Sequence, residues 1–212
     1  VALFGRMVAD SKDLNVDSAV QVAHALSTHA VEIESDYFTA VDDYKLDEDD
    51  AGAGMIGTVE FTSETLYRFA TVAVSTLKDN LGDVDLTAQA ASAFVRGFIM
   101  SMPTGKQNTF ANNTIPDAVV VQIRKGRSAS FVGAFEDAVN PADGGYVEPS
   151  CQALADYARD CEQVFLGDPV ASFVTRIGAR TEAVGTMGTE MPVDNLVSAV
   201  RDQVVSLLRD ES

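Results

Sequence analysis

The sequence predicts a mixed α and β fold, because segments with the spacing of strands alternate with segments that carry one apolar stripe at helical spacing. Residues 66–74 are rich in aromatic and β-branched side chains, which are typical of central strands. Residues 151–165 repeat apolar side chains at steps of three and four, which indicates one buried helix face. Residues 171–177 alternate as a half-buried strand does. With 46% apolar residues, the chain is expected to bury one core, with at most an appended lobe.

The N-terminal third is predicted to begin with a strand. Residues 1–7 have the composition of the middle of a strand, and because they start without an initiator methionine we expect the chain to be a fragment. Residues 16–31 fit a strand and a helix equally well, since apolar residues recur both at alternate positions and at steps of three and four. The strand at 66–74 comes next.

A long helix is predicted after residue 74. Asp85 or Thr87 is expected to cap its start, and Pro103 marks its end, because the residue before a proline disfavours the helical conformation. The predicted apolar face of this helix consists of Leu86, Ala90, Ala93, Phe94, Gly97 and Phe98.

The C-terminal half continues the alternation. Residues 117–123 form a short apolar run, which favours a buried strand, and residues 130–135 are a candidate strand edge. A final helix is predicted to begin at Pro192. Its buried face is expected to carry Leu196, Val200, Val204 and Leu208.

The two cysteines lie on one face of the helix predicted at 151–165. Both thiols are therefore expected to point into the core, and the stripe continues to Val164 and Phe165. Cys151 and Cys161 are separated by about 15 Å along the helix axis, which is too far for a disulfide. We expect two unreactive thiols in a reducing compartment.

An unusual pair of segments predicts a protruding β-hairpin. Residues 36–43 and 52–61 are short, β-prone arms with aromatic and aliphatic side chains, and an acidic stretch separates them. Charge repulsion should keep the connecting loop extended and solvated. Apolar side chains at the tip of such a hairpin suit contact with a flat partner, and nucleobases are flat.

Charge is the main argument against nucleic acid. The net charge is −17, whereas proteins bind phosphates chiefly through Lys and Arg. Net charge nevertheless describes the whole molecule and leaves room for a local basic groove. No apolar run approaches the roughly 20 residues that a membrane-spanning helix needs, so we expect a cytoplasmic protein with no membrane partner.

Several motifs lack the context that their chemistry requires. The glycines at 52–57 follow an acidic run and precede a β-prone segment, whereas a dinucleotide site needs a strand before them and a helix after them. The acidic stretch from Asp47 lacks two ligands of a calcium loop, and Lys106 does not sit in a complete phosphate-binding loop. His24 and His29 belong to no nucleophile signature, and His24 is expected to be a hydrogen-bonded structural residue. We predict no catalytic residue, metal or cofactor.

Six segments, taken together and in order, resemble one known family. This is the CasC family, the backbone subunit of the type I-E CRISPR surveillance complex Cascade. The matching segments are 5–7, 21–29, 36–43, 56–61, 67–70 and 103–107.

The resemblance implies an α+β fold shaped like a right hand. Residues 1–30 and 65–212 would form an incomplete palm of the RNA-recognition, ferredoxin-like kind, and residues 31–64 a β-hairpin thumb. The N-terminal strand of the palm and most of the helical fingers would be absent from this chain. The implied partners are a CRISPR guide RNA, other copies of the chain arranged head to tail, other Cascade subunits, and target DNA through the guide. Each thumb would displace about one guide base in six, so that base pairing supplies the sequence specificity.

The resemblance also implies a set of RNA-binding residues. Met7 would wedge against bases, and stacking by a thumb aromatic residue contributes about 1 to 3 kcal/mol per base. The implied set is Arg6, Met7, Tyr37, Phe38, Thr39, Ile56, Lys106, Gln107 and Asn108. Spacing alone favours other roles: Phe38 and Ile56 packed on a neighbouring subunit, Met7 in the core and Lys106 as a solvated charge. The resemblance reverses that preference for Met7 and Phe38.

Two alternatives from other classes stay open at this point. Related backbone subunits of type III complexes cleave RNA with a thumb aspartate and magnesium, and Asp36, Asp42 or Asp43 would then be catalytic. The chain could also be a folded fragment with no activity of its own.

Overall fold

The structure is a computed structural model that describes residues 1–40, 55–143 and 145–210. Its strands are β1 (Val20–Val22), β2 (Leu26–Ser27), β3 (Glu34–Ala40), β4 (Met55–Phe61), β5 (Leu66–Tyr67), β6 (Ala70–Val72), β7 (Ala118–Ile123), β8 (Ala171–Arg176) and β9 (Thr189–Glu190). Its helices are α1 (Val74–Leu81), α2 (Val84–Met100), α3 (Gln107–Phe110), α4 (Val147–Cys161), α5 (Glu182–Gly185) and α6 (Val193–Asp210). The mixed α and β class is confirmed, with several small sheets in place of one large one.

The N-terminal segment turns back on itself, so the prediction of a strand at residues 1–7 was wrong. The N–H of Gly5 donates to the carbonyl of Val1 at 2.7 Å, and Gly5 has a left-handed φ of 74°. A side chain at Gly5 would lie 2.7 Å from the carbonyl oxygen of Val16, which pairs with Arg6 in an isolated bridge. Glycine is therefore required at this reversal.

The ambiguous segment at 16–31 contains two short strands, each in an antiparallel ladder, and no helix. β1 pairs with β6 and β2 pairs with β5, and the N–H of Ala23 donates to the carbonyl of Phe69 between them. The strand predicted at 66–74 is thus divided into β5 and β6. Val74, the last residue of the predicted strand, is the first residue of α1. The sequence pattern did not predict this helix, because residues 74–81 contain few strong helix formers. Burial of Leu77 in the core stabilises the helix despite this low propensity.

Helix α2 lies where the sequence predicts a helix, but its cap and its buried face differ. Asp83 is the cap, since its carboxylate accepts the N–H of Leu86 at 2.7 Å. The buried face is made of small side chains and one isoleucine: Thr87, Ala88, Ala91, Ser92 and Ile99. Leu86, expected on that face, is 52% exposed. Small side chains let α2 approach α6 and α1 closely, which a bulkier stripe would prevent.

The C-terminal sheet has the order β7, β8, β9, with the first pair antiparallel and the second parallel. The strands predicted at 117–123 and 171–177 are confirmed. The final helix is also confirmed as α6, and it buries Leu196, Val200, Val204 and Leu208 against this sheet and α2.

The candidate strand at residues 130–135 is a 3-10 helix over Val132–Phe135. Gly133 lets this turn approach α4, because a side chain there would clash with the hydroxyl group of Tyr157. The N–H of Phe131 donates to the Tyr67 hydroxyl at 3.1 Å, which ties the turn to β5.

Helix α4 buries Cys151, as predicted, whereas Cys161, also predicted to point into the core, is only half-buried; both cysteines are free thiols. A π-helical turn over Glu162–Leu166 follows. This wider turn shifts the side-chain register, so Val164 and Phe165 are 69% and 85% exposed and their predicted burial was wrong. None of the helices in the described ranges has both the length and the apolar content to cross a bilayer.

Candidate nucleic-acid interface

The two predicted hairpin arms pair with each other and with no other strand of the described residues. β3 and β4 form an antiparallel ladder from the Glu34–Phe61 pair to the Ala40–Met55 pair. Every residue of β3 is exposed. The connecting segment, including Asp42 and Asp43, lies outside the described residues. The β3–β4 ladder therefore offers both of its faces to a partner.

The register distributes the predicted side chains over the two faces. Directly paired residues project to the same side, so the Thr39–Ile56 and Tyr37–Thr58 pairs share one face. Phe38, paired with Gly57, projects to the other. The predicted set is thus brought onto one ladder but divided between its sides.

Apolar surface is exposed on both faces of the ladder. Tyr37 is 74% and Ile56 is 70% exposed on one side, and Phe38 is 42% exposed on the other. The lower exposure of Phe38 comes from its neighbour. A side chain at Gly57 would lie 2.6 Å from Cε1 of the Phe38 ring, so the ring lies flat over the glycine. Gly57, singled out above as part of a glycine motif, is explained by this contact.

The root of the ladder is held by His29, which is buried at 8% exposure. Its Nε2 accepts the N–H of Thr65 at 3.1 Å, so Nδ1 carries the proton and donates to the carbonyl of Ala30 at 2.8 Å. The ring also stacks on Tyr146, with centroids 3.6 Å apart and 12° between planes. The structural histidine is therefore His29, whereas His24, for which that role was predicted, is exposed.

A polar loop lies beside the base of the ladder. Lys106 adopts a left-handed φ of 58° and precedes the short helix α3, which contains Gln107 and Asn108. At the end of α3 the Phe110 ring lies 6.1 Å from that of Phe61 in β4. All three predicted polar side chains of this loop are exposed.

Arg6 and Met7 lie on the N-terminal turn. Met7 is 88% exposed, which excludes the alternative of a core residue in this chain. The Nε of Arg6 donates to the carbonyl of Leu14 at 2.7 Å. Within the described ranges, no hydrogen bond or ring contact joins either residue to the β3–β4 ladder.

The profile of the CT1975-like protein family, a Cas family, matches residues 1–199. The chain belongs to the CT1975-like family of Cas proteins. No curated protein shows significant sequence similarity to it.

The chain is also similar to chains of solved CRISPR complexes. One chain from a "CRISPR RNA-guided surveillance complex, pre-nicking" is 36% identical, with a TM-score of 0.84 over 94% of this chain and 55% of its own length. Another, from a "CRISPR RNA-guided surveillance complex", is also 36% identical, with a TM-score of 0.80 over 92% of this chain and 76% of that one. The CT1975-like chain thus spans little more than half the length of the first of these structures.

Arg68 is a cation of this CT1975-like chain that residue patterns did not single out. Its guanidinium lies 4.5 Å from the centroid of the Phe98 ring, and Nη1 donates to the carbonyl of Ser101 at 3.5 Å. These contacts place Arg68 beside Ser101, where the segment that leads to Lys106 begins. The only signal in the sequence was its position inside a segment, 67–70, that carries the family resemblance.

The described arginines divide into those that form ion pairs with carboxylates and those that do not. Five described arginines form ion pairs with carboxylates: Arg96, Arg124, Arg159, Arg176 and Arg209. Among the described residues, Arg6, Arg68 and Lys106 lie within 4.0 Å of no carboxylate. Their charges are available to phosphates despite the net charge of −17.

The acidic side chains of the described ranges show no metal-binding arrangement. No three His, Cys, Asp or Glu side chains there lie close enough to hold an ion. Asp36 is exposed on β3, whereas Asp42, Asp43 and Asp47 lie outside these ranges.

The buried thiol has the properties of a structural residue. Burial, assisted by the negative charge of Asp117, raises the pKa of Cys151 to about 11. The thiolate is the nucleophilic form, so Cys151 is unreactive at neutral pH.

Proposed function

We propose that this chain is a non-catalytic CRISPR RNA-binding backbone subunit of a Cascade-type surveillance complex, working in the cytoplasm. The observation that carries the proposal is the β3–β4 ladder, whose apolar side chains are exposed on both faces. A folded protein rarely exposes such side chains on an isolated ladder unless they contact a partner. Membership of a Cas family and 36% identity to chains of RNA-guided complexes favour RNA as that partner.

In this proposal residues 31–64 act as a thumb and residues 1–30 and 65–212 as the palm. Several copies line one guide RNA head to tail, together with other subunits of the complex. Each thumb displaces a base and leaves the intervening bases free to pair with target DNA. The protein supplies the shape of the complex, and the guide supplies the sequence.

The division of the ladder into two faces suits this role. Phe38 and Met7 stack on or wedge against bases on either side of a kink, while Tyr37, Thr39 and Ile56 contact RNA from the opposite face. Arg6, Arg68, Lys106, Gln107 and Asn108 bind the backbone phosphates. Stacking tolerates every base, which a subunit that repeats along a variable guide requires.

The test is to assemble the protein on a CRISPR RNA and compare variants. Phe38→Ala combined with Met7→Ala is expected to weaken RNA binding by about tenfold or more, because each lost stacking contact contributes about 1 to 3 kcal/mol. Phe165→Ala is the matched control, since Phe165 is 85% exposed but lies on the π-helical turn. Unchanged affinity and nuclease protection in the double variant would refute the proposal. Cleavage of a complementary RNA with magnesium would favour the type III alternative.

A further inference from the structure

We infer that His29 is a positioning residue that fixes the angle at which the β3–β4 ladder leaves the body of the protein. The inference deepens the proposed function, because a thumb can displace bases at regular intervals only if every copy holds it at the same angle.

Backbone pairing is interrupted at the root of the ladder. The β2–β5 ladder ends where the N–H of Thr28 donates to the carbonyl of Thr65 at 2.9 Å, and pairing resumes only at Glu34 and Phe61. Residues 29–33 and 62–64 therefore lie between two ladders that are not continuous. An interruption of this kind allows one ladder to swing relative to the other, unless side chains bridge it.

The His29 ring bridges this interruption. Nε2 accepts the Thr65 N–H from one chain segment, and Nδ1 donates to the Ala30 carbonyl of the other. The imidazole thus takes the place of a backbone carbonyl as the partner of Thr65. Both sides of the root are held by one rigid ring.

The same ring is anchored to the body. It stacks on Tyr146, the residue before the first residue of α4, at a centroid separation of 3.6 Å. Thr28 adds two further ties, since its hydroxyl accepts from Ser150 at 2.8 Å and its carbonyl accepts the N–H of Val139 at 2.9 Å. The orientation of the ladder is therefore fixed relative to α4.

The orientation is measured without RNA, by the distance between two spin labels. One label is attached at Thr58→Cys on the ladder and the other at Phe165→Cys on the body, in a Cys161→Ala background. Cys151 is left in place, because its side chain is buried and its thiol stays protonated at neutral pH. The labelled protein that retains His29 is expected to give a narrow distribution of distances between the two labels. His29→Phe, which retains the stacking surface but lacks both nitrogens, is expected to broaden it.

Four further variants separate positioning from folding. His29→Gln places an amide oxygen where Nε2 accepts, and it is expected to restore most of the narrow distribution. Tyr146→Leu removes the anchor and is expected to broaden the distribution even if His29→Phe fails to fold, whereas Tyr146→Phe retains the stack and should not. His24→Phe, at the exposed histidine, is the matched control. A broad distribution in the unmodified protein, or a narrow one in both His29→Phe and Tyr146→Leu, would overturn the inference.

RNA binding supplies the functional readout. If only about a tenth of His29→Phe molecules hold the ladder in the competent orientation, affinity for a labelled single-stranded CRISPR RNA falls about tenfold at unchanged folded fraction. Failure of the unmodified protein to bind this RNA would count against the proposed function alone, since the spin-label distances would still test His29. Full RNA affinity in a His29→Phe protein with a broadened distribution would overturn the link between orientation and binding.

Discussion

Single residues control how the β3–β4 ladder presents its side chains, and Gly57 is the clearest case. The Phe38 ring occupies the space that a side chain at Gly57 would need. We expect Gly57→Ala to displace the ring, because the end of a side chain moves more easily than the backbone. RNA affinity should fall about tenfold, while the free energy of unfolding changes by no more than about 1 kcal/mol.

Gly97→Ala in helix α2 is the control for this substitution, since a methyl group there meets no atom within 4 Å. Fluorescence anisotropy with labelled RNA measures the affinity, and urea denaturation measures the stability. Equal affinities of Gly57→Ala and the unmodified protein would show that the placement of Phe38 does not matter for binding.

Cys151 gives a second test at the residue scale. Its folded pKa of about 11 lies above the ordinary value of 9.0, so the thiolate forms more readily in the unfolded chain. The resulting stabilisation is fully present below pH 9 and is lost as the pH rises towards 11. The difference in unfolding free energy between the unmodified protein and Cys151→Ala should shrink by about 2 kcal/mol over this range. A difference that does not depend on pH would contradict the burial of this thiol.

At the scale of elements, an ion pair holds the π-helical turn to the sheet. Arg124, which directly follows β7, forms an ion pair with Glu162, and the two side chains are only 9% and 21% exposed. Arg124 also donates to the carbonyl of Gly167 at 2.8 Å. Glu162→Gln leaves a largely buried charge without its partner, and we expect it to lower the free energy of unfolding by about 3 kcal/mol.

The exposed pair of Arg96 and Asp194 provides the matched control for Glu162→Gln. These side chains are 52% and 79% exposed, so Asp194→Asn should change stability by no more than about 1 kcal/mol. Urea denaturation of both variants makes the comparison. Equal losses would mean that burial does not govern the Arg124 pair.

The elements also show what the sequence could and could not predict. The face of α6 was predicted correctly because large aliphatic side chains recur at regular spacing and all of them are buried. The face of α2 was not, since its contacts are made by alanine, serine and threonine, which carry little periodic signal. The π-helical turn and the reversal at Gly5 depend on local backbone geometry that periodicity does not report.

The sequence predicted the strands of the candidate site but not all of its side-chain contacts. The arms of the ladder follow from β-prone residues on both sides of an acidic stretch. Arg68 and His29 were missed as site residues because their roles come from partners distant in sequence, such as Phe98 and Tyr146. Single-sequence patterns contain no information about such pairs.

At the scale of the whole molecule, the proposed RNA binding would have to overcome a net charge of −17. We expect the RNA affinity to depend only weakly on salt concentration, because three cations, Arg6, Arg68 and Lys106, are proposed to contact phosphates. Each phosphate contact to a single strand contributes a slope of about −0.7. The logarithm of affinity should therefore fall against the logarithm of salt concentration with a slope of about −2. Arg68→Gln should make this slope less negative by about 0.7. Arg209→Gln, which removes an arginine already paired with Asp85, should leave it unchanged.

In the proposed function, the ladder displaces guide bases at regular intervals. The most direct measurement places 2-aminopurine, whose fluorescence rises on unstacking, at successive positions of a CRISPR RNA assembled with the protein. We expect bright positions at a constant spacing, and we expect them to disappear when Phe38→Ala and Met7→Ala are combined. A profile without periodicity in the unmodified protein, or a periodic profile that the double variant leaves intact, would contradict it.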